Sequence, residues 1–210
     1  MVFPFLHKLK DKRIVLASSS PRRKEILSNL GLNFDVVPSK FPETLDKSKY
    51  SPLNYVIANA TEKGLEVYKR LLEEGQKIDL IIAADTVVVF DGEILEKPKD
   101  EKDALNVLQK LNGNSHYVYT GIALIYPKIE SGYSISTLIE NTEVVFRKNS
   151  EEDFLAYIDT GEPMDKAGSY GIQALGSFFI EKINGCYYNV VGLPTSVFKR
   201  IEQLVKNNEI

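Results

Sequence analysis

Apolar positions along the chain switch repeatedly between short continuous runs and a helical spacing of about 3.6 residues, so strands and helices should interleave. Ile14 to Ala17 is a branched apolar run that predicts a buried strand. It leads into a helix that Ser20 can cap and Pro21 can open, with Ile26, Leu27 and Leu30 on one stripe and Gly31 as the stop. Phe34 to Val37 predicts a second strand ended by Pro38, and Ser39 to Tyr50 is a polar loop. From Ser51-Pro52 the spacing of Leu53, Val56, Ile57, Ala60, Gly64, Val67 and Leu71 predicts one long amphipathic helix that ends at Gly75.

Asp79 to Phe90 is the strongest strand in the sequence, apolar on both faces except at Asp85-Thr86. Asp91-Gly92 predicts a hairpin into Glu93–Leu95. Asp100 and Asp103 open a helix with Ala104, Leu105, Val107, Leu108 and Leu111 inward. Two long strands follow, from about His116 to Tyr126 and from about Ser136 to Phe146, the first carrying Gly121, a residue suited to a bulge. Ser150 and Asp153 cap a helix over Phe154 to Asp159. Beyond a glycine-rich stretch, Gly161–Gly176, the pattern predicts a strand over Ser177–Ile183, an Asn184-Gly185 hairpin and a strand over Tyr187–Val191. Pro194 introduces a last helix bearing Val197, Ile201 and Leu204. Residues 1–12 read as an apolar arm with Phe3, Phe5 and Leu6, and 13–208 as a single domain. The expected class is α/β, a mixed sheet with flanking helices.

Composition narrows the function. A formal charge of -3 over 210 residues gives no global basic field, so a nucleic-acid partner is not expected, and a polyanion would have to be met locally. A single cysteine, Cys186, excludes an internal disulfide framework, and with only His7 and His116 a Cys/His zinc site is not expected. Nothing approaches the length of a membrane span or a convincing signal peptide, so a reducing, cytoplasmic setting without a membrane partner is the expectation.

The densest chemistry is Ser18-Ser19-Ser20-Pro21-Arg22-Arg23-Lys24. Three cations in a helix's first turn oppose its dipole, and an anion would remove the conflict; hydroxyls, free N–H groups and guanidinium forks at a helix start describe a phosphate cradle. A solvated basic helix start is the alternative. Asp85, an acid in the middle of a buried strand, must be paired, metal-bound or wetted by a site, which makes it the leading catalytic candidate. Glu43 lies in the polar loop, and Lys97 at a strand end near the Asp85 hairpin. Asp165-Lys166, Gly168, Gly171 and Gln173 sit in a stretch too long for a minimal connector, where an ordered loop held by its own polar groups is the other reading. Lys63 lies beside the apolar stripe, where a lysine usually snorkels. His116 reads as structural.

Four separated stretches, Ser18–Leu27, Ala84-Asp85-Thr86 with Glu96-Lys97-Pro98, Tyr119-Thr120-Gly121, and Gly161–Gly176 with Asn189–Pro194, resemble the Maf family of nucleoside triphosphate pyrophosphatases in order and spacing. The resemblance implies an elongated α/β fold with two lobes around a cleft, related to inosine triphosphatases. It also implies hydrolysis of a nucleoside triphosphate to monophosphate and pyrophosphate with Mg²⁺ or Mn²⁺. It assigns Ser18, Arg22, Arg23, Lys63, Lys97 and Lys166 to the triphosphate, Asp85 to proton acceptance, and Glu43 to an acidic active-site position, with Asp85 and Glu43 as metal ligands. Arg22, Thr86 and Gln173 resemble the branch acting on dTTP and UTP rather than on 7-methyl-GTP. Ala83 and Ala174 stand where many members have glycine. A triphosphate-sensing regulator of cell division is the competing class, and the acid at Asp85 favours the enzyme. The apolar arm and the hairpins of this chain could supply a homodimer contact.

Overall fold

The structure, a computed structural model, describes residues 3–210. Its strands are β1 (Ile14–Leu16), β2 (Asp35–Val36), β3 (Leu80–Phe90), β4 (Glu93–Leu95), β5 (Ser115–Lys128), β6 (Gly132–Phe146) and β7 (Ile180–Asn184). Its helices are α1 (Phe5–Lys8), α2 (Pro21–Asn29), α3 (Pro52–Glu73), α4 (Glu101–Leu111), α5 (Glu151–Asp159), α6 (Tyr187–Val191) and α7 (Ser196–Lys206). The seven strands form one sheet in the order β2-β1-β3-β5-β6-β7, with β4 paired to β3. β1 runs parallel to β2 and to β3, whereas β3–β4 and β6–β7 are antiparallel, so the sheet is mixed as the sequence predicts.

The chain divides into two compact units. The first comprises the chain up to Asp85, Gly121–Ile139 and Thr195–Ile210; the second comprises Thr86–Thr120 and Glu140–Pro194. In the first, Val15 of β1 and Ala17 just beyond it pack with Val67, Tyr68 and Leu71 of α3 and with Ile81, Ala83 and Ile125. Each fully buried Val, Leu or Ile among them contributes roughly 1.5–3 kcal/mol. Close contact between α3 and the sheet depends on two glycines. A Cβ on Gly64 would lie 2.7 Å from Ile125 Cδ1, and one on Gly121 would lie 2.6 Å from the backbone carbonyl of Val56. β5 continues through Gly121, where the glycine admits a helix backbone. The residues read as an arm include a short helix, α1, with Phe5, Leu6 and Leu9 buried and packed beside α7.

The second unit has its own core, in which Ala104, Leu108 and Leu111 of α4 meet Phe154, Tyr157 and Ile158 of α5 and Phe146 of β6. Caps hold both helices as their sequences predict: Asp100 accepts from Asp103 N, and Ser150 and Asp153 form a reciprocal box. The expected strand over Tyr187–Val191 is instead the helix α6. Tyr-Tyr-Asn-Val-Val has strand propensity, but the Asn189 side chain overrides it: Nδ2 donates to Val118 O at 2.9 Å and to Thr142 Oγ1 at 3.0 Å, anchoring one compact turn.

Candidate active site

The turn from β1 to α2 is built as its sequence suggests. Ser20 caps α2 by accepting from Arg23 N at 3.4 Å, and Pro21 occupies the first turn. Ser18, buried just past the strand, accepts from Ser20 N at 3.2 Å and from Arg23 Nη1 at 3.3 Å. Burial pushes the Arg23 pKa below the ordinary arginine value, as does neighbouring Arg22, while Asp85 and Glu43 oppose the shift. A guanidinium remains charged through such a shift, so Arg23 is a cation partly stripped of water, flanked by a second cation and facing two carboxylates. Such a group has strong reason to bind an anion.

Lys63 joins those carboxylates. Its side chain is only 11% exposed, and Nζ lies 2.8 Å from Asp85 Oδ1 and 3.1 Å from Glu43 Oε2. Asp85 comes from the middle of β3 and Lys63 from the flank of α3. Glu43 comes from the polar loop, which climbs that flank one helical turn at a time. Arg70 donates to Pro38 O at 3.0 Å, Glu66 accepts from Ser39 Oγ at 2.9 Å and Lys40 N at 2.7 Å, and Lys63 meets Glu43. Burial alone would raise the Glu66 pKa, but hydrogen bonds from Arg70, Lys40 N and Ser39 outweigh it and hold the pKa below the usual value. Glu43 itself adopts φ 52°, a strained conformation for a residue with a Cβ. One turn further along the flank is Asn59, 1% exposed, whose Oδ1 has no hydrogen-bond partner. The loop's climb along α3 and Asn59 carry no periodic signal in the sequence, because both lie on the polar edge of the helix.

In the second unit the predicted residues are more dispersed. Lys97 is exposed beyond β4, and Gln173 is exposed in the glycine-rich loop. Lys166 is largely buried; its Nζ donates to Asp165 Oδ1 at 2.6 Å and to Glu162 O. The loop is held by Glu162, which the sequence did not single out. Its carboxylate accepts from Tyr157 OH at 3.0 Å, Leu175 N at 3.1 Å and Gly176 N at 3.2 Å. Burial, with Glu162 adding to it, pushes the Tyr157 pKa well upward, so its hydroxyl stays protonated as a donor. Thr86 Oγ1 lies 2.9 Å from Thr120 Oγ1. His116 is structural: its Nε2 meets Tyr170 OH at 2.8 Å, and burial pushes its pKa down to about 3.

Asp85 and Glu43 are two carboxylates converging on the point where Lys63 Nζ now sits. Hard oxygen donors of this number suit Mg²⁺, which usually takes one or two carboxylates and completes its shell with water and substrate phosphate. Among the described residues no group of three or more His, Cys, Asp or Glu side chains could hold a metal ion, so a closed, all-protein cage is not built here. No helix among the described residues is long and apolar enough to cross a membrane.

A sequence profile for the family described as Maf-like protein matches residues 13–204. A human protein named "Probable bifunctional dTTP/UTP pyrophosphatase/methyltransferase protein" is 48% identical over 208 residues, covering 97% of this chain and 33% of its own. This chain thus spans about a third of that relative. A "dTTP/UTP pyrophosphatase" of Clostridium perfringens (strain SM101 / Type A) is 46% identical over 191 residues, with 90% of this chain and 96% of its own covered. One of the same name from Schizosaccharomyces pombe is 41% identical over 210 residues, covering 96% and 87%.

Proposed function

The chain belongs to the Maf-like protein family, and from that premise we propose that it hydrolyses dTTP and UTP to the nucleoside monophosphate and pyrophosphate. The observation that carries the reading to particular residues is the cluster of buried Asp85 and Lys63 with half-exposed Glu43, beside Ser18 and Arg23. In the reaction a water oxygen bonds to the α-phosphorus as the bridging bond to the β-phosphate breaks, and the electron pair of that bond leaves with pyrophosphate. Asp85 orients the water and accepts its proton, and Lys63, 2.8 Å away, fixes the carboxylate. Ser18, Arg22 and Arg23 meet the anionic oxygens, and we assign Lys97 and Lys166 to the same charge. A divalent cation, Mg²⁺ or Mn²⁺, would be held by Asp85 and Glu43 and would supply charge neutralisation at the phosphate oxygens. Arg22, Thr86 and Gln173 are assigned to choice of substrate.

The test is pyrophosphate release by the purified chain over a panel of triphosphates with Mg²⁺, with Asp85→Asn beside it. Turnover of dTTP and UTP, little of 7-methyl-GTP, and a drop of about 10²–10⁴-fold in the folded variant are expected. Triphosphate binding without turnover would replace the enzyme with a sensor.

A further inference from the structure

The flank of α3 that carries Lys63 presents a polar side chain at each turn. Arg70 holds Pro38 O, Glu66 holds Ser39 and Lys40 N, and Lys63 meets Glu43 and Asp85. Asn59 continues the row, 1% exposed, and its Oδ1 accepts from no group among the described residues. A buried amide oxygen without a donor is destabilising, and an apolar side chain of the same size would avoid the penalty. Val56 and Ala60 beside it are wholly buried apolar residues, so the helix itself gives no reason for an amide there.

A donor lies within reach. Residues four apart on a helix stand about 5–6 Å apart at Cβ, and helical side chains lean toward the helix N-terminus, so the Lys63 stem extends over the turn that holds Asn59. The Lys63 ammonium has three N–H donors. It lies 2.8 Å from Asp85 Oδ1 and 3.1 Å from Glu43 Oε2, and these two acceptors differ. The Asp85 side chain is 11% exposed on an interior strand, whereas the Glu43 side chain is 54% exposed, on a loop residue at φ 52°. Glu43 is therefore the partner that costs less to release. All four residues belong to the first unit.

A divalent cation held by Asp85 and Glu43 requires that release, because an ammonium between the two carboxylates keeps a second positive charge out of the same space. Lys63, being buried, would then lack an acceptor it now has. We propose that Asn59 is a positioning residue that exchanges with Glu43: its amide oxygen takes the N–H that Glu43 gives up, so that Lys63 stays on Asp85 while Glu43 turns to the cation. The inference rests on the divalent-cation reading above and deepens it by naming what frees Glu43. Asn59 is unpaired in the cation-free state for the same reason that it is useful in the other.

The experiment measures Mn²⁺ affinity of the purified chain without nucleotide, from the paramagnetic resonance signal of free Mn²⁺, and the urea midpoint without metal. Both are read in the wild type, Asn59→Leu, Lys63→Met and the double variant. Asn59→Leu should raise the urea midpoint yet weaken Mn²⁺ binding roughly tenfold, the size of one hydrogen bond to a charged group. In the Lys63→Met background the same substitution should change Mn²⁺ affinity less than twofold, because no ammonium remains to be received. A lowered urea midpoint or an unchanged Mn²⁺ affinity in Asn59→Leu overturns the exchange, and that arm needs no double variant. A tenfold loss that persists in Lys63→Met also overturns it, since Asn59 would then meet the cation directly. If the wild type binds no Mn²⁺, or Asp85→Asn binds it equally well, the cation reading itself fails and the exchange falls with it.

Discussion

Around Lys63 in the first unit, three cations and two carboxylates act on one another, with Asp85 and Lys63 both buried. In the second unit the most buried polar side chains, Thr120, Thr142, Ser169, Asn189 and His116, are neutral, the last because burial drives its pKa to about 3. The contrast separates two kinds of work. Charges that hold one another in place can be redirected to a substrate's phosphates, and each is costly to orphan. Neutral hydroxyls and amides carry no net charge, and here they tie α6 to β5 and β6 through Asn189, Val118 and Thr142.

The largest effect should come from breaking the charged cluster at its centre. Lys63→Met leaves Asp85 buried without its ammonium, and stability measured by urea unfolding should fall by about 3 kcal/mol. Glu43→Gln should cost far less, at most about 1 kcal/mol, because the Glu43 side chain is half exposed. Equal losses in the two variants would mean that Lys63 is held by something other than Asp85.

A smaller effect should appear in the neutral region as pH falls. The unfolded chain protonates His116 near its ordinary value of 6.5, whereas the folded chain resists until about 3. Stability from this group is therefore complete above about pH 6.5 and declines as pH drops toward 3, with a slope no steeper than about 1.4 kcal/mol per pH unit. His116→Gln should flatten that part of the urea-midpoint profile. An unchanged profile would place the acid sensitivity elsewhere.

The two regions also differed in how well the sequence revealed them. Asp85 was legible because an acid inside an otherwise apolar strand is a local anomaly, and the α2 start was legible because capping and helix-opening residues act on their immediate neighbours. Lys63 was not legible from periodicity, since its partners come from β3 and from a loop whose course along α3 is set by tertiary contacts; only the family resemblance marked it. α6 was misread as a strand because local propensity favours one, while the bonds that decide the matter reach from Asn189 to Val118 and Thr142. Gly121 was recognised as special, but its close approach to Val56, far away in sequence, left no local signal.

The central claim is that water, oriented by Asp85, attacks the α-phosphorus, and hydrolysis of dTTP in water labelled with heavy oxygen tests it most directly. Label recovered wholly in the thymidine monophosphate, with pyrophosphate unlabelled and the reaction suppressed in Asp85→Asn, is the predicted result. Label in the pyrophosphate, or an Asp85→Asn variant as fast as the wild type, would contradict it.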